Sequence, residues 1–298
     1  MGSLKIVALI EELGKPGATQ ASELAQINSL VSEAFQYQSP HQFFDDFPAW
    51  ASDAEVLRLG IRQDQKLLSH AGVRFVKMQT SKGLVPVAMI GAVATATESR
   101  GKGYSTLILK ELIRRCEVMP AESRPHWILL WGSEHAFYEK LGFKLHGKQF
   151  QALVADISNL ETQNTPEINT GISEAIFDHL RGNPIGVKLN PQDHEWVFAH
   201  KTVEWFSIDR PFAFIAYQRG MDLGSIIHEW GGDQKSLLKL FAHIRTMNPD
   251  ACLMGTKDQL HRLGFLAEQM VEENLCLAKP LGNQSWNSEF WVSGLSAC

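Results

Sequence analysis

Apolar and polar residues follow two different rhythms along this chain, and the switches between them outline its elements. Residues 5–13 form an apolar run that predicts a first strand. Residues 22–36 carry Leu24, Ile27, Leu30, Val31, Ala34 and Phe35 at the spacing of an amphipathic helix, which Pro40 stops. Residues 56–61 and 72–79 read as strands joined by a polar hairpin around Gln63, Asp64 and Gln65. A long apolar strand follows at 84–97, with Pro86 putting its start at an edge or bulge. Residues 106–118 predict a helix with Ile108, Leu109, Leu112, Ile113 and Cys116 on one face and Lys110, Glu111, Arg114 and Glu117 on the other. The wholly apolar run 127–131 suits a buried parallel strand. A short helix at 136–141 ends at Gly142, and 149–154 reads as a strand closing this half. Residues 159–170 are polar and aperiodic, contain Pro166, and read as a linker.

The second half repeats this order. Strands at 212–217 and 225–230 lead through Gly231, Gly232 and Asp233 into a helix whose apolar face is Leu237, Leu238, Phe241 and Ile244. A short strand at 251–254 and a short helix at 258–263 follow, closed by Gly264 and Phe265. Lys140-Leu141-Gly142-Phe143 matches Arg262-Leu263-Gly264-Phe265, each after a strand and a short helix, which reads as an internal duplication. The aromatic tail, with Trp286, Phe290 and Trp291, is expected to dock on one of the halves.

The length of 298 residues fits two domains. With 44% apolar and 20% charged residues, the composition is that of a globular protein with a real core. A net charge of −5 gives no ground for a nucleic-acid or anionic-membrane partner. No apolar run is long enough to span a bilayer, and Glu11, Glu12 and Gly14 interrupt the first apolar stretch, so no signal peptide is expected. The cysteines, Cys116, Cys252, Cys276 and Cys298, are scattered without a CxxC, which fits a reduced, cytoplasmic setting. Eleven histidines lack ligand spacing: His228-Glu229 and His194-Glu195 have Gly232 and Phe198 where a zinc helix needs its second histidine, so no metal is implied.

The most informative stretch is Val93-Ala94-Thr95 and, four residues on, Arg100-Gly101-Lys102-Gly103-Tyr104-Ser105-Thr106, followed at once by a helix. A helix N-terminus leaves N–H groups unpaired and partly positive, and a phosphate satisfies both. Gly101 and Gly103 allow close approach of the backbone, and Arg100 and Lys102 add positive charge. A Walker A loop is excluded because Gly103, not Ser or Thr, follows Lys102. A Rossmann fingerprint is excluded because position 106 is Thr106 rather than glycine. Downstream lies Phe137-Tyr138-Glu139-Lys140-Leu141-Gly142-Phe143. Acyl transfer from a thioester expels a thiolate, and a phenol on a short helix beside the cofactor strand can protonate it, so Tyr138 is the candidate general acid.

These segments together resemble the two signature regions of the GNAT acetyltransferase superfamily, over roughly residues 5–155. The resemblance implies an α/β fold in which a mixed, twisted GNAT sheet is flanked by helices and splays open after the Val93 strand. A catalytic domain would occupy residues 1–158, a linker 159–170, and a degenerate GNAT-like domain 171–298. Acetyl-CoA would be the co-substrate, its pantetheine on Val93, Ala94 and Thr95 and its pyrophosphate on the loop from Arg100 through Gly101, Lys102, Gly103, Tyr104 and Ser105 to Thr106. The reaction would be N-acetylation of a primary amine, on a small molecule or a protein, by direct transfer. Ser105 stands where the family usually has Gly or Ala, a change expected to be tolerated. The family's asparagine before the tyrosine helix has no clear match.

For a general base the nearest candidates are Glu98 and Glu134, with His135 third. The stretch around Phe43, Phe44, Asp45, Asp46, Phe47 and Trp50 reads as a core helix with two solvated acids, or else as a wall for a cationic amine. In the second half Leu260 stands at the place of Tyr138 and cannot donate a proton, and Glu229 and Asp233 bring acids where a diphosphate needs cations. That half is read as a support, its acids available to face an amine. The alternative to an enzyme is a non-catalytic module that binds acyl-CoA or a partner on the same scaffold.

Overall fold

The computed structural model describes residues 9–15, 20–52, 56–147, 149–157, 160, 167–273, 275–282 and 292–296. The first half runs β1 (Ile10–Leu13), α1 (Gln20–Ala34), α2 (Phe43–Asp46), β2 (Val56–Gln63), β3 (Lys66–Thr80), β4 (Gly83–Thr95), α3 (Tyr104–Glu117), β5 (Trp127–Trp131), α4 (His135–Glu139), β6 (Lys144–Leu145) and β7 (Gln149–Leu153). The second runs β8 (Asn169–Thr170), α5 (Glu174–Arg181), β9 (Gly186–Val187), α6 (His194–Phe198), β10 (Glu204–Asp209), β11 (Phe212–Tyr217), β12 (Ile226–Gly232), α7 (Gln234–Met247), β13 (Cys252–Gly255), α8 (Lys257–Arg262), β14 (Val271–Glu273) and β15 (Cys276–Pro280).

The strands form two mixed sheets. The first has the order β1-β2-β3-β4-β5-β15-β6, with β9 added to the far end of β3. The second, read from its β8 edge, has the order β8-β10-β11-β12-β13-β7-β14. One order is the copy of the other. In each sheet the parallel pair, β4–β5 or β12–β13, is bridged by a long helix, α3 or α7, as a parallel crossover requires.

The copies are not closed on themselves. The strand expected to close the first half, 149–154, does form as β7, but it pairs with β13 and β14 of the second sheet. In return β15 fills the matching place between β5 and β6 of the first sheet. The boundary drawn after residue 158 therefore leaves β7 on one side of the cut and its ladder partners on the other. Residues 169–170 of the expected linker are β8, paired with β10. Residues 5–8 of the expected first strand, most of the linker, and the tail aromatics Trp286, Phe290 and Trp291 lie outside the described residues.

Helix α3 buries the face its sequence pattern marks out: Ile108, Leu109, Leu112, Ile113 and Cys116 pack on Ala88, Ile90, Ile128, Leu130 and Leu277 of the first sheet. Each such side chain contributes about 1.5–3 kcal/mol, an upper range because the unfolded chain is itself partly collapsed. The other face of the sheet receives α1 and the aromatic stretch, with Ile27, Leu30, Phe43, Phe47 and Trp50 against Ala92, Ala94 and Ala96. The second core repeats the first: Leu237, Leu240, Phe241 and Ile244 of α7 pack on Ile215, Ile227, Leu253 and Phe265.

The two acids in the aromatic stretch are not solvated. Asp46 is fully buried, accepting hydrogen bonds from the Tyr37 hydroxyl and the Thr202 hydroxyl, each at 2.6 Å. Asp45 pairs with Lys201 at 2.6 Å. Thr202 and Lys201 belong to the second half, so these carboxylates join the halves rather than face an amine. Burial demands partners for a carboxylate, and the neighbouring half supplies them.

Candidate active site

Strand β4 leaves its parallel partner part-way along. Pairing with β5 runs from Val87 and Trp127 to Met89 and Leu129 and stops, while β4 continues to Thr95 on its β3 side. A bulge coincides with this parting. Opposite the step from His70 to Gly72, β4 moves from Ala94 to Gly91, one residue more than β3, and Ala92 takes a φ of +52°. A non-glycine residue rarely adopts this left-handed conformation, and bulges redirect the backbone around them. Val93 lies half-buried against the α3 core, on which Tyr104, Phe137 and Tyr138 also pack. Ala94 points to the opposite face, into the α1 core. The result is a gap between β4 and β5 with one wall of β4 backbone.

The gap leads to the N-terminus of α3. A single 3-10 turn, Thr97–Ser99, follows β4, and then Gly101 and Gly103 turn the chain with φ of +76° and +81°. Gly103 is the N-cap and supplies no side-chain cap, so the first turn, Tyr104, Ser105 and Thr106, starts without the acceptor that most helices carry. A Cβ placed on either glycine would meet nothing within 4 Å. The glycines are thus required by conformation, and the space before them is open. Arg100 donates from Nε to the Thr95 carbonyl at 3.3 Å, and Lys102 is exposed beside it. The Ser105 hydroxyl is 2.6 Å from the Thr95 hydroxyl, which lies 2.8 Å from that of Ser69, so three side chains tie β3, β4 and α3 together beneath the loop. Serine at 105 therefore does more than fit.

Tyr138 stands on α4 across the gap. A Cβ on Gly132, just past the end of β5, would lie 3.3 Å from Tyr138 Cε2 and 3.9 Å from its hydroxyl. The missing side chain at Gly132 makes room for the phenol there. Phe137 and Phe143 hold the ring edge-on at 5.0 and 6.1 Å. Of the base candidates, Glu98 is exposed and ion-paired with Lys66, whose hydrogen bond holds its carboxyl below the usual range and weakens it as a base. Glu134 is exposed at the N-cap of α4, and the Nε2 of His135 is buried with no hydrogen-bond partner among the described residues.

The second half closes the corresponding positions. Asp233 accepts from the Ser236 amide at 3.0 Å and caps α7, so it does not face an amine. Glu229 is buried on β12 and bonded to Ser293, and burial raises its carboxyl to about 7. Leu260 lies fully buried in the core. Sequence reading overlooked His70, whose Nδ1 lies 2.8 Å from the Ala92 carbonyl beneath the bulge. A lone histidine in an apolar strand gives no signal of its own.

The family model of the acetyltransferase (GNAT) domain matches residues 17–146, which contain the gap, the loop and Tyr138. Residues 17–146 are thus similar to a GNAT acetyltransferase domain. Solved structures extend the likeness in fold over nearly the whole chain. A probable N-acyltransferase of Enterococcus faecalis V583 shares 16% identity at a TM-score of 0.62, over 92% of this chain and 72% of that one. A GCN5-related N-acetyltransferase of Kribbella flavida shares 14% at 0.59, over 91% and 72%. The N-myristoyltransferase of Saccharomyces cerevisiae, solved with myristoyl-CoA, shares 11% at 0.55, over 100% and 86%. The sequence matches no curated protein. Among the described residues no group of three or more His, Cys, Asp or Glu side chains could hold a metal ion, and no helix is long and apolar enough to cross a membrane.

Proposed function

We propose that this GNAT domain transfers an acetyl group from acetyl-CoA directly to a primary amine. The pyrophosphate lies on the amides from Gly101 to Thr106, and the pantetheine runs along Val93, Ala94 and Thr95. The amine nitrogen attacks the thioester carbonyl carbon, the C–S bond breaks, and Tyr138 protonates the departing thiolate. Backbone N–H groups of the bulged strand polarise the carbonyl oxygen as negative charge develops on it. Glu134 is the remaining acidic candidate for taking the amine proton, since Glu98 is engaged by Lys66. The acceptor is a small-molecule or protein amine.

One observation carries the reading: the uncapped N-terminus of α3 opens onto free space at Gly101 and Gly103, at the mouth of a gap bordered by a phenol. A pure binder needs the open helix end but has no use for the acid. Acetyl-CoA should raise the thermal midpoint of the protein, and a panel of amines should release CoA from it. Tyr138→Phe should keep the thermal shift and lower turnover by about 10²–10⁴-fold. Retained turnover in that variant removes Tyr138 from the chemistry. A thermal shift without CoA release for any amine favours the binding module.

A further inference from the structure

We propose that His70 is a positioning residue for acyl transfer: by holding the Ala92 carbonyl it aims the Val93 N–H into the gap between β4 and β5. The inference rests on the reading that the thioester lies in that gap. At the bulge, Ala92 has left the regular ladder between β3 and β4. Its carbonyl needs a donor, and the imidazole of His70, on β3, donates from Nδ1 at 2.8 Å. In a trans peptide the C=O of one residue and the N–H of the next point in opposite directions. A carbonyl pinned toward β3 therefore turns the Val93 N–H toward β5, where the parallel ladder has already ended at Met89 and Leu129.

The imidazole is itself fixed. His70 is 1% exposed, and Trp50 packs alongside, 2.9 Å from where a Cβ would sit on Gly72. Trp50 is anchored in turn through its carbonyl by Arg58, which donates from Nε at 3.3 Å and from Nη2 at 2.9 Å. The Nε2 of His70 is buried with no hydrogen-bond partner among the described residues. A buried orphan nitrogen costs stability that an apolar residue would not, so the value of this histidine lies in its Nδ1. Donation to a carbonyl from Nδ1 in a neutral ring also fixes the tautomer. Burial keeps the ring neutral by lowering its pKa to about 4.

The test uses the full-length protein with acetyl-CoA carrying carbon-13 at the carbonyl. Isotope-edited infrared spectroscopy reads the polarisation of the bound thioester, and calorimetry reads its affinity. His70→Leu should bind acetyl-CoA within about threefold of the parent, lose the downshift of the carbonyl band, and lose kcat on the order of 10²-fold with KM for the amine unchanged. His70→Asn, whose amide can donate from nearly the same place, should restore most of both. An unchanged band and kcat in His70→Leu overturn the inference alone, as does equal loss in both variants. Wild-type protein that binds no acetyl-CoA overturns the proposed function and the inference with it. Should His70→Leu fail to fold, nitrogen-15 spectra of the wild-type imidazole decide: protonation at Nδ1 with a shift on adding acetyl-CoA supports the inference, and protonation at Nε2 or an unmoved signal overturns it.

Discussion

The N-termini of α3 and α7 occupy matching places in two sheets of the same strand order, yet one is open and the other is shut. Between β4 and α3 the chain spends eight residues on a 3-10 turn and a glycine bend. Between β12 and α7 it spends one, Asp233, whose carboxylate takes the Ser236 amide that a phosphate would otherwise use. Gly101 and Gly103 look onto empty space, whereas a Cβ on Gly232 would fall 2.3 Å from the Phe212 carbonyl oxygen. Meanwhile the turns after α4 and α8 are superposable in their bonding: Phe143 N–H to the Tyr138 carbonyl and Phe265 N–H to the Leu260 carbonyl are both 3.2 Å. The same strand order is kept whether the helix end is open or shut. What differs is whether helix-end amides are left for a ligand or satisfied by the chain.

Separating the halves should have the largest effect. Chains 1–158 and 159–298 produced alone should each fail to unfold cooperatively in thermal circular dichroism, because each lacks the strand that completes its sheet, and mixing them should restore a transition. Next comes the buried carboxyl of β12. Folding raises the Glu229 carboxyl from 4.5 to about 7, so its contribution to stability is intact below pH 4.5 and is lost as pH rises through 7. Glu229→Gln should therefore raise the thermal midpoint at pH 8, by a few kcal/mol in stability, and leave it unchanged at pH 4. Gly103→Val tests the open end: the φ of +81° costs a branched residue roughly 1–2 kcal/mol, and the acetyl-CoA thermal shift should vanish while the apo protein stays folded. The smallest effect belongs to the shut end. Asp233→Ala should lower stability by about 1 kcal/mol and leave acetyl-CoA binding as it is.

Much of this contrast was legible in the sequence. The apolar face of α3, the run of β5 and the bend at Gly101 and Gly103 are local patterns, and α3 and β5 lie within two residues of where periodicity puts them, whereas β3 starts six residues before the strand expected at 72–79. Tyr138 and Leu260 can be aligned by counting back from the two Leu-Gly-Phe endings. What could not be read is non-local. A strand such as Gln149–Leu153 announces that it pairs, not with which sheet, because alternation encodes a buried face and not a neighbour. Asp46 looked solvated because its partners, Tyr37 and Thr202, are brought to it only by the fold. The Ala92 bulge is hidden inside a uniformly apolar run, and His70 with it.

The trade of β7 for β15 also sets a schedule for biosynthesis. The slot between β5 and β6 stays vacant until residues 276–280 have left the ribosome, so the first half, although translated first, is finished last. Until then a nascent chain exposes two bare strand edges that any neighbouring copy's last strand could occupy. Dense polysomes should thus favour entangled dimers, and slow, dilute synthesis should favour pairing of β15 with its own chain.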